Sequence, residues 1–274
     1  MMEGEHLRSW EDFEDRISEL SRFRIKQQES TRLYVSDVLF RGQSNSQWGL
    51  LTTLERYSGL DCALYDYYRK IFAAKPIVES FTGKKWQILT PPEYEKWLEG
   101  YDPLGISGFE AYDYMAYLRH HGFPSPLLDW TRSPYVAAYF AFRDVLSTAD
   151  SVAIFAYIED VGQGKGVCCS EGCIRGLGPY VTTHKRHFLQ HCEYTICSRL
   201  EDSRALYTPH ESLFCKGADD QDFLRKFILP ASERTKILKR LDLQNVHAYS
   251  LFESEESLME TIALREFRLR GADF

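Results

Sequence analysis

The nine residues from Pro134 to Phe142 carry no charged side chain. With Val136, Ala137, Ala138, Tyr139, Phe140, Ala141 and Phe142 in succession, a helix over 134–146 is apolar nearly all round and must be buried on most sides. Thr131 or Ser133 can cap its start, and Pro134 suits its first position. Just upstream, Leu127-Leu128-Asp129-Trp130 reads as a brief strand. A strand and the helix after it thus belong to a core. A chain of 274 residues with 44% hydrophobic content is long enough to build one.

The remaining pattern alternates helices and strands. Trp10, Phe13, Ile17, Leu20 and Phe23 recur at spacings of three and four, which predicts a helix over 9–28 capped by Ser9. A β-rich run over 35–40 ends at Arg41-Gly42 and leads into a polar loop over 43–47. Further helices are expected over 60–75, 93–98, 109–119, 233–241 and 255–267. Strands are expected over 151–158, 193–198, 226–230 and 245–252, with a glycine-rich excursion over 162–178. Strands separated by long helical insertions predict an α+β fold. No internal repeat or low-complexity linker interrupts it, so residues 35–274 read as one globular unit behind a helical extension over 1–34.

Bulk properties narrow the function. The net charge of −7 argues against a general electrostatic nucleic-acid binder, while leaving room for a local basic groove. No apolar run of about 18 residues suggests a membrane span. The polar N-terminus lacks the apolar core of a signal peptide, so the expected location is cytoplasmic, with the seven cysteines as reduced thiols. Aromatics are dense, with 17 Tyr, 17 Phe and 5 Trp, a composition that suits stacking platforms as well as core. The chain has no Walker loop, Gly-x-Gly-x-x-Gly, Gly-x-Ser-x-Gly or His-Glu-x-x-His.

Several polar residues stand where chemistry could use them, each with a plainer account beside it. Arg41, followed by the bare Gly42, can grip a phosphate in bidentate fashion; a surface ion pair at a turn also explains it. His120 and His121 lie where a helix breaks, where a histidine can move a proton or cap the helix end. Asp129 can orient Arg41 or His120. Thr131 and Ser133 open a helix whose N-terminus favours anions, although capping alone accounts for them. Glu193, beside Tyr194 and after His187 and Gln190, can hold a ribose hydroxyl, or can be an exposed edge-strand carboxylate. Glu255 and Glu256, with Glu253 and Glu260, suit the dipole at the start of the last helix. Cys168, Cys169, Cys173, His184, His187, His191, Cys192 and Cys197 include no Cys-x-x-Cys pair, so no metal is expected and free thiols are the reading.

Three segments together are specific. Phe40-Arg41-Gly42, then His120-x-Gly122-x-Pro124-Ser125-x-Leu127-Leu128-Asp129-Trp130-Thr131, then Arg186-His187-Phe188-Leu189-Gln190, resemble the FRG-domain family of bacterial proteins over about residues 35–265. The chain departs from that pattern at Pro126, where an arginine is expected, and at His121, where an aromatic residue is expected.

The resemblance implies an ADP-ribosyltransferase-like split β-sheet core, and a toxin of phage-defence operons that transfers ADP-ribose from NAD. On that reading Arg41, Gly42, Asp129, Trp130, Thr131, Ser133, Tyr139 and Gln190 hold NAD, with Tyr139 or Trp130 stacked on the nicotinamide. His120 and Glu193 are catalytic, the carboxylate stabilising charge that builds on the ribose. Glu193-Tyr194-Thr195-Ile196 resembles the run that carries the catalytic glutamate in several ADP-ribosyltransferases; Glu255 or Glu256 is the alternative. The expected acceptor is single-stranded RNA, bound along Lys165, Arg175, Lys185 and Arg186, with a protein acceptor as the runner-up. A neutralising antitoxin is the expected partner. The rival is a non-catalytic module that binds a nucleotide or a phage component.

Overall fold

The computed structural model describes residues 3–59, 62–105, 108–144, 147–166, 172–214 and 221–271. Its strands are β1 (Glu5–His6), β2 (Leu39–Gln43), β3 (Cys62–Ala63), β4 (Leu128–Thr131), β5 (Ser151–Asp160), β6 (Cys173–Gly176), β7 (Cys192–Glu201), β8 (Arg204–Tyr207) and β9 (Gln221–Pro230). Its α-helices are α1 (Trp10–Ser30), α2 (Thr53–Ser58), α3 (Leu64–Thr82), α4 (Pro91–Leu98), α5 (Tyr112–His120), α6 (Pro134–Phe142), α7 (Arg186–Leu189), α8 (His210–Phe214), α9 (Arg234–Leu243), α10 (Ala248–Phe252) and α11 (Glu255–Leu264). The strands form one mixed sheet in the order β1-β9-β5-β2-β4-β7-β8-β3, with β6 paired to β7. β1 runs parallel to β9, and the other pairs are antiparallel.

The all-apolar helix sits where its sequence requires. Ser133 caps α6 by accepting from the Val136 N–H, and Ala137, Ala138, Ala141 and Phe142 are fully buried. They pack with Phe40, Ile154 and Phe227 on one face of the sheet, together with Trp10 and Phe13 of α1. The segment read as an N-terminal extension thus contributes to the core of the sheet. On the opposite face Leu39, Trp130, Phe155 and Tyr157 pack with Phe214. A third cluster joins α3, α4 and α5 to the β7–β8 end of the sheet, with Tyr68 stacked on Tyr94.

Gly42 explains how closely α6 lies on β2. A Cβ there would collide with the carbonyl oxygen of Ala137 and the amide nitrogen of Ala141. Those atoms belong to helix backbone, which cannot step aside as a side chain can. The absence of a side chain at residue 42 therefore serves helix–sheet packing.

The segment 245–252 folds differently from expectation. It is no strand: α10 occupies Ala248–Phe252, capped by the His247 ring, which accepts from the Ser250 N–H. The short alternation Val246, Ala248 imitates a strand, but Ala248 and Leu251, three apart, are the residues that bury. β9 begins at Gln221 and not at 226, and the glycine-rich excursion contains β6. α3 begins at Leu64 and runs on to Thr82 through Pro76. Leu60, Leu146, Cys168 and Cys169 lie outside the described residues.

Two histidines link this fold to pH. His210 is buried against Thr195, and His120 is half-buried at the end of α5. Burial first of all lowers both to about 3. Their unfolded value lies near 6.5. Both stay neutral in the fold while the unfolded chain takes up protons, so the stability they contribute is whole above ~6.5 and drains away as pH falls toward 3. The urea midpoint is expected to fall between pH 7 and pH 4.5, and to fall less steeply in His210→Gln.

Candidate functional site

β2 and β4 share a single paired position, Phe40 opposite Thr131, whereas β2 pairs with β5 at five positions. Beyond Phe40 the two strands part, and a cavity of about 370 Å³ opens between them. Arg41, Gly42, Gln43 and Ser44 line one wall, and Asp129, Trp130 and Thr131 the other. Helices supply the rest of the lining, including Arg119 and His120 from α5, Phe140 from α6 and Arg186 from α7.

Charge dominates this cavity. Five guanidiniums line it, Arg41, Arg56, Arg119, Arg143 and Arg186, against one carboxylate, Asp129, among the described residues. Arg119 Nη2 donates to Asp129 Oδ1 at 2.6 Å, and Arg41 Nη1 donates to the Asp129 carbonyl at 2.7 Å while lying 3.2 Å from Oδ1. Burial would raise the Asp129 carboxyl, but Arg119 and then Arg41 outweigh it, and the group is held well below its ordinary value. Arg143 is gripped from behind by Glu260, at 2.7 and 2.6 Å, and lies over the Phe252 ring. Arg56 forms no ion pair among the described residues. Burial lowers its pKa, followed by the nearby charges of Arg41 and Arg119.

Three of the lining guanidiniums also carry a donor without an acceptor. The Nε atoms of Arg41, Arg119 and Arg186 are buried and reach no partner among the described residues. A buried N–H left unpaired costs about 1–3 kcal/mol, more on a charged group. Converging guanidinium donors are the ordinary means of holding phosphate. Trp48, half exposed, also lines the cavity and offers a flat surface for a base, whereas the Phe252 ring already carries Arg143 and Arg186.

The predicted site residues divide. Arg41, Gly42, His120, Asp129, Trp130, Thr131 and Gln190 all line the cavity. Trp130, however, stacks on Tyr157 and donates to Thr195 Oγ1, so it is core and not a free platform. The Thr131 hydroxyl donates to the Gln190 carbonyl, and the Gln190 amide donates to the Leu251 carbonyl, so both brace the wall. Ser133 is engaged as the cap of α6, and the Tyr139 hydroxyl donates to Glu260 away from this cavity.

Glu193 stands outside the cavity. Neighbouring residues of a strand point to opposite faces, and Cys192 and Tyr194 are the ones that line it. Glu193 lies opposite Trp130 in register and 3.5 Å from Arg132, with burial raising its carboxyl. Glu255 and Glu256 are exposed on the first turn of α11 and do not line the cavity either. Glu193→Gln is therefore expected to change nucleotide affinity by no more than about twofold in a calorimetric titration. The expected basic strip is also broken, because Lys165 is buried between Glu159 and Asp222 at 3.0 and 2.7 Å, and Lys185 pairs with Glu253.

Arg56, Arg119, Arg143, Trp48, Phe140 and Phe252 escaped the reading of the sequence. Arg143 had a usable signal: it is the first charge after a nine-residue apolar helix, so its head has to emerge at the helix end. Arg119 precedes His120 in the same helix turn. Nothing local marks Arg56 or Phe252.

The FRG domain model matches residues 36–150, the stretch that contains Phe40-Arg41-Gly42, the His120-to-Thr131 segment and the whole of α6. Residues 36–150 carry the match to the FRG domain, and the rest of the chain lies outside it. The match ends before α7, β7 and α10, so the FRG segment supplies both strand walls of the cavity, while Arg186, Gln190, Cys192, Tyr194 and Phe252 come from beyond it. No curated protein and no solved structure matches the chain. Among the described residues no helix is long and apolar enough to cross a membrane.

Proposed function

We propose that the arginine-lined cavity binds a nucleotide bearing at least two phosphates, with NAD the first candidate. The observation that carries this is the set of three buried Nε–H donors, on Arg41, Arg119 and Arg186, that have no acceptor in the protein. A pyrophosphate supplies several anionic oxygens to such a set, and the Trp48 ring suits a base. The size of the cavity falls within the range usual for small-molecule sites. Calorimetric titration with NAD, ADP-ribose and ATP tests the reading. Binding that weakens steeply with added salt is expected; no heat from any of the three overturns it.

Transfer of ADP-ribose from NAD to RNA, in a toxin restrained by an antitoxin, is the second reading. One observation favours it: the Tyr194 hydroxyl lies 2.6 Å from His120 Nε2, and both residues line the cavity. Burial first, and the Arg119 charge after it, keep His120 neutral, so the pair can accept a proton from an incoming nucleophile. The carboxylate available to the ribose is Asp129, which two arginines already neutralise. Incubation with labelled NAD and total RNA separates the readings. Label on RNA, lost in Asp129→Asn and kept in Glu193→Gln, supports transfer; binding without label leaves a nucleotide-binding module.

A further inference from the structure

His120, His187 and Cys192 come from three elements and converge on one point. His120 ends α5, His187 lies in α7 and Cys192 opens β7. A left-handed residue, His191 at φ 50°, reverses the chain between the last two. One ligand atom from each lies within 4.8 Å of the other two. His187 and Cys192 are buried. The spacing His187-x4-Cys192, with a partner 67 residues upstream of His187, hides this grouping from any short motif.

The protonation pattern suits a cation. His187 Nε2 lies 3.0 Å from the Pro179 carbonyl, so Nε2 carries the hydrogen and Nδ1 points its lone pair inward. A backbone carbonyl that fixes the ring and the tautomer in this way is the usual support behind a histidine that ligates a metal. The Tyr194 oxygen sits among the three donors, 2.6 Å from His120 Nε2 and 3.3 Å from His187 Nδ1. The hydroxyl has one proton and can donate to only one of those rings. Two imidazoles and a thiolate form a borderline-soft set that favours zinc and its neighbours over magnesium or calcium.

We propose that His120, His187 and Cys192 form a site for a zinc-class divalent cation, with the Tyr194 oxygen or a water as the fourth ligand. On binding, the Cys192 thiol gives its proton to solvent and sulfur bonds to the metal. Donors in tetrahedral zinc stand roughly 3.3–3.7 Å apart, so three donors already within 4.8 Å of one another need only close inward to bind. The thiolate, with Asp129 close by, offsets the charge of the neighbouring Arg119. The site stands independently of the nucleotide reading, because its donors are all the protein's own.

Cobalt(II) is the probe. Reduced, chelator-treated full-length protein is titrated with cobalt(II), then with zinc(II). One equivalent is expected to raise the intense visible bands of a tetrahedral ion and a near-ultraviolet thiolate-to-cobalt band, both abolished by one equivalent of zinc. Cys192→Ser removes the thiolate band, and His187→Ala weakens cobalt binding at least about tenfold. A band that survives Cys192→Ser, or only the weak spectrum of octahedral cobalt, overturns the site and leaves the three groups as hydrogen-bonding neighbours of Tyr194. Should Cys192→Ser fail to fold, X-ray absorption on the zinc-loaded wild type decides. A shell with one sulfur and two imidazole nitrogens upholds the site, and a shell without sulfur refutes it.

Discussion

Arg56→Ala combined with Arg186→Ala is expected to weaken nucleotide binding about 100-fold and leave the melting temperature almost unchanged. Neither guanidinium forms an ion pair among the described residues, and Arg186 donates only a long bond, 3.3 Å, to the His120 carbonyl. Their loss strands no carboxylate. Each charge-assisted hydrogen bond to a ligand oxygen contributes about 1.5–3 kcal/mol, and 1.4 kcal/mol is tenfold in affinity. Two such bonds make about 3 kcal/mol or more. Arg41 and Arg119 are the wrong pair for this experiment, because removing either leaves Asp129 less compensated and mixes a folding effect with a binding one. Calorimetry with ADP-ribose and a thermal melt of the same sample check both halves. Unchanged affinity would remove the cavity from consideration as a phosphate site.

Gly42→Ala is expected to destabilise the protein by about 3 kcal/mol, at the upper end of the cost of overpacking. In a domain of this size that lowers the melting temperature by roughly 6–12 °C. The added methyl meets the backbone of α6 at Ala137 and Ala141, so relief requires a shift of the whole helix, with Phe40 and Phe142 in the core beside it. Gly49→Ala is the internal comparison. Its methyl meets only the carboxylate end of Glu211, which can swing away, and the expected cost is slight. Differential scanning calorimetry of both variants measures the contrast. Equal, small shifts would show that Gly42 is bare for some reason other than its contact with α6.

Much of the site was legible because it is local. Arg41-Gly42 and Asp129 through Ser133 flank one strand end and one helix start, and their polar character stands out against the apolar run beside them. Caps at Ser9 and Ser133 were readable because a cap is a bond between residues three apart. The strand over 245–252 failed because eight residues are too few to tell a period of two from one of 3.6 when Val246 and Ala248 fit both. The placing of Glu193 off the cavity lining was hidden for a related reason. Its neighbours Cys192 and Tyr194 are the more apolar pair, but which face of β7 meets the cavity depends on its register with β4, Trp130 opposite Glu193.

From the chain alone came the elements whose cause lies within a few residues: the buried helix α6, the strand that feeds it, the capped α1, and the polar residues clustered at the ends of β2 and β4. Tertiary structure alone decided that Arg56, Arg119, Arg143 and Arg186, drawn from four separate helices or helix ends, surround the gap where β2 and β4 part, and that His120, His187 and Cys192 meet. Hydrophobic periodicity reports which face of an element is buried. It carries no information on which distant element faces it, because guanidinium, imidazole and thiol groups gain their meaning from neighbours supplied by register and packing.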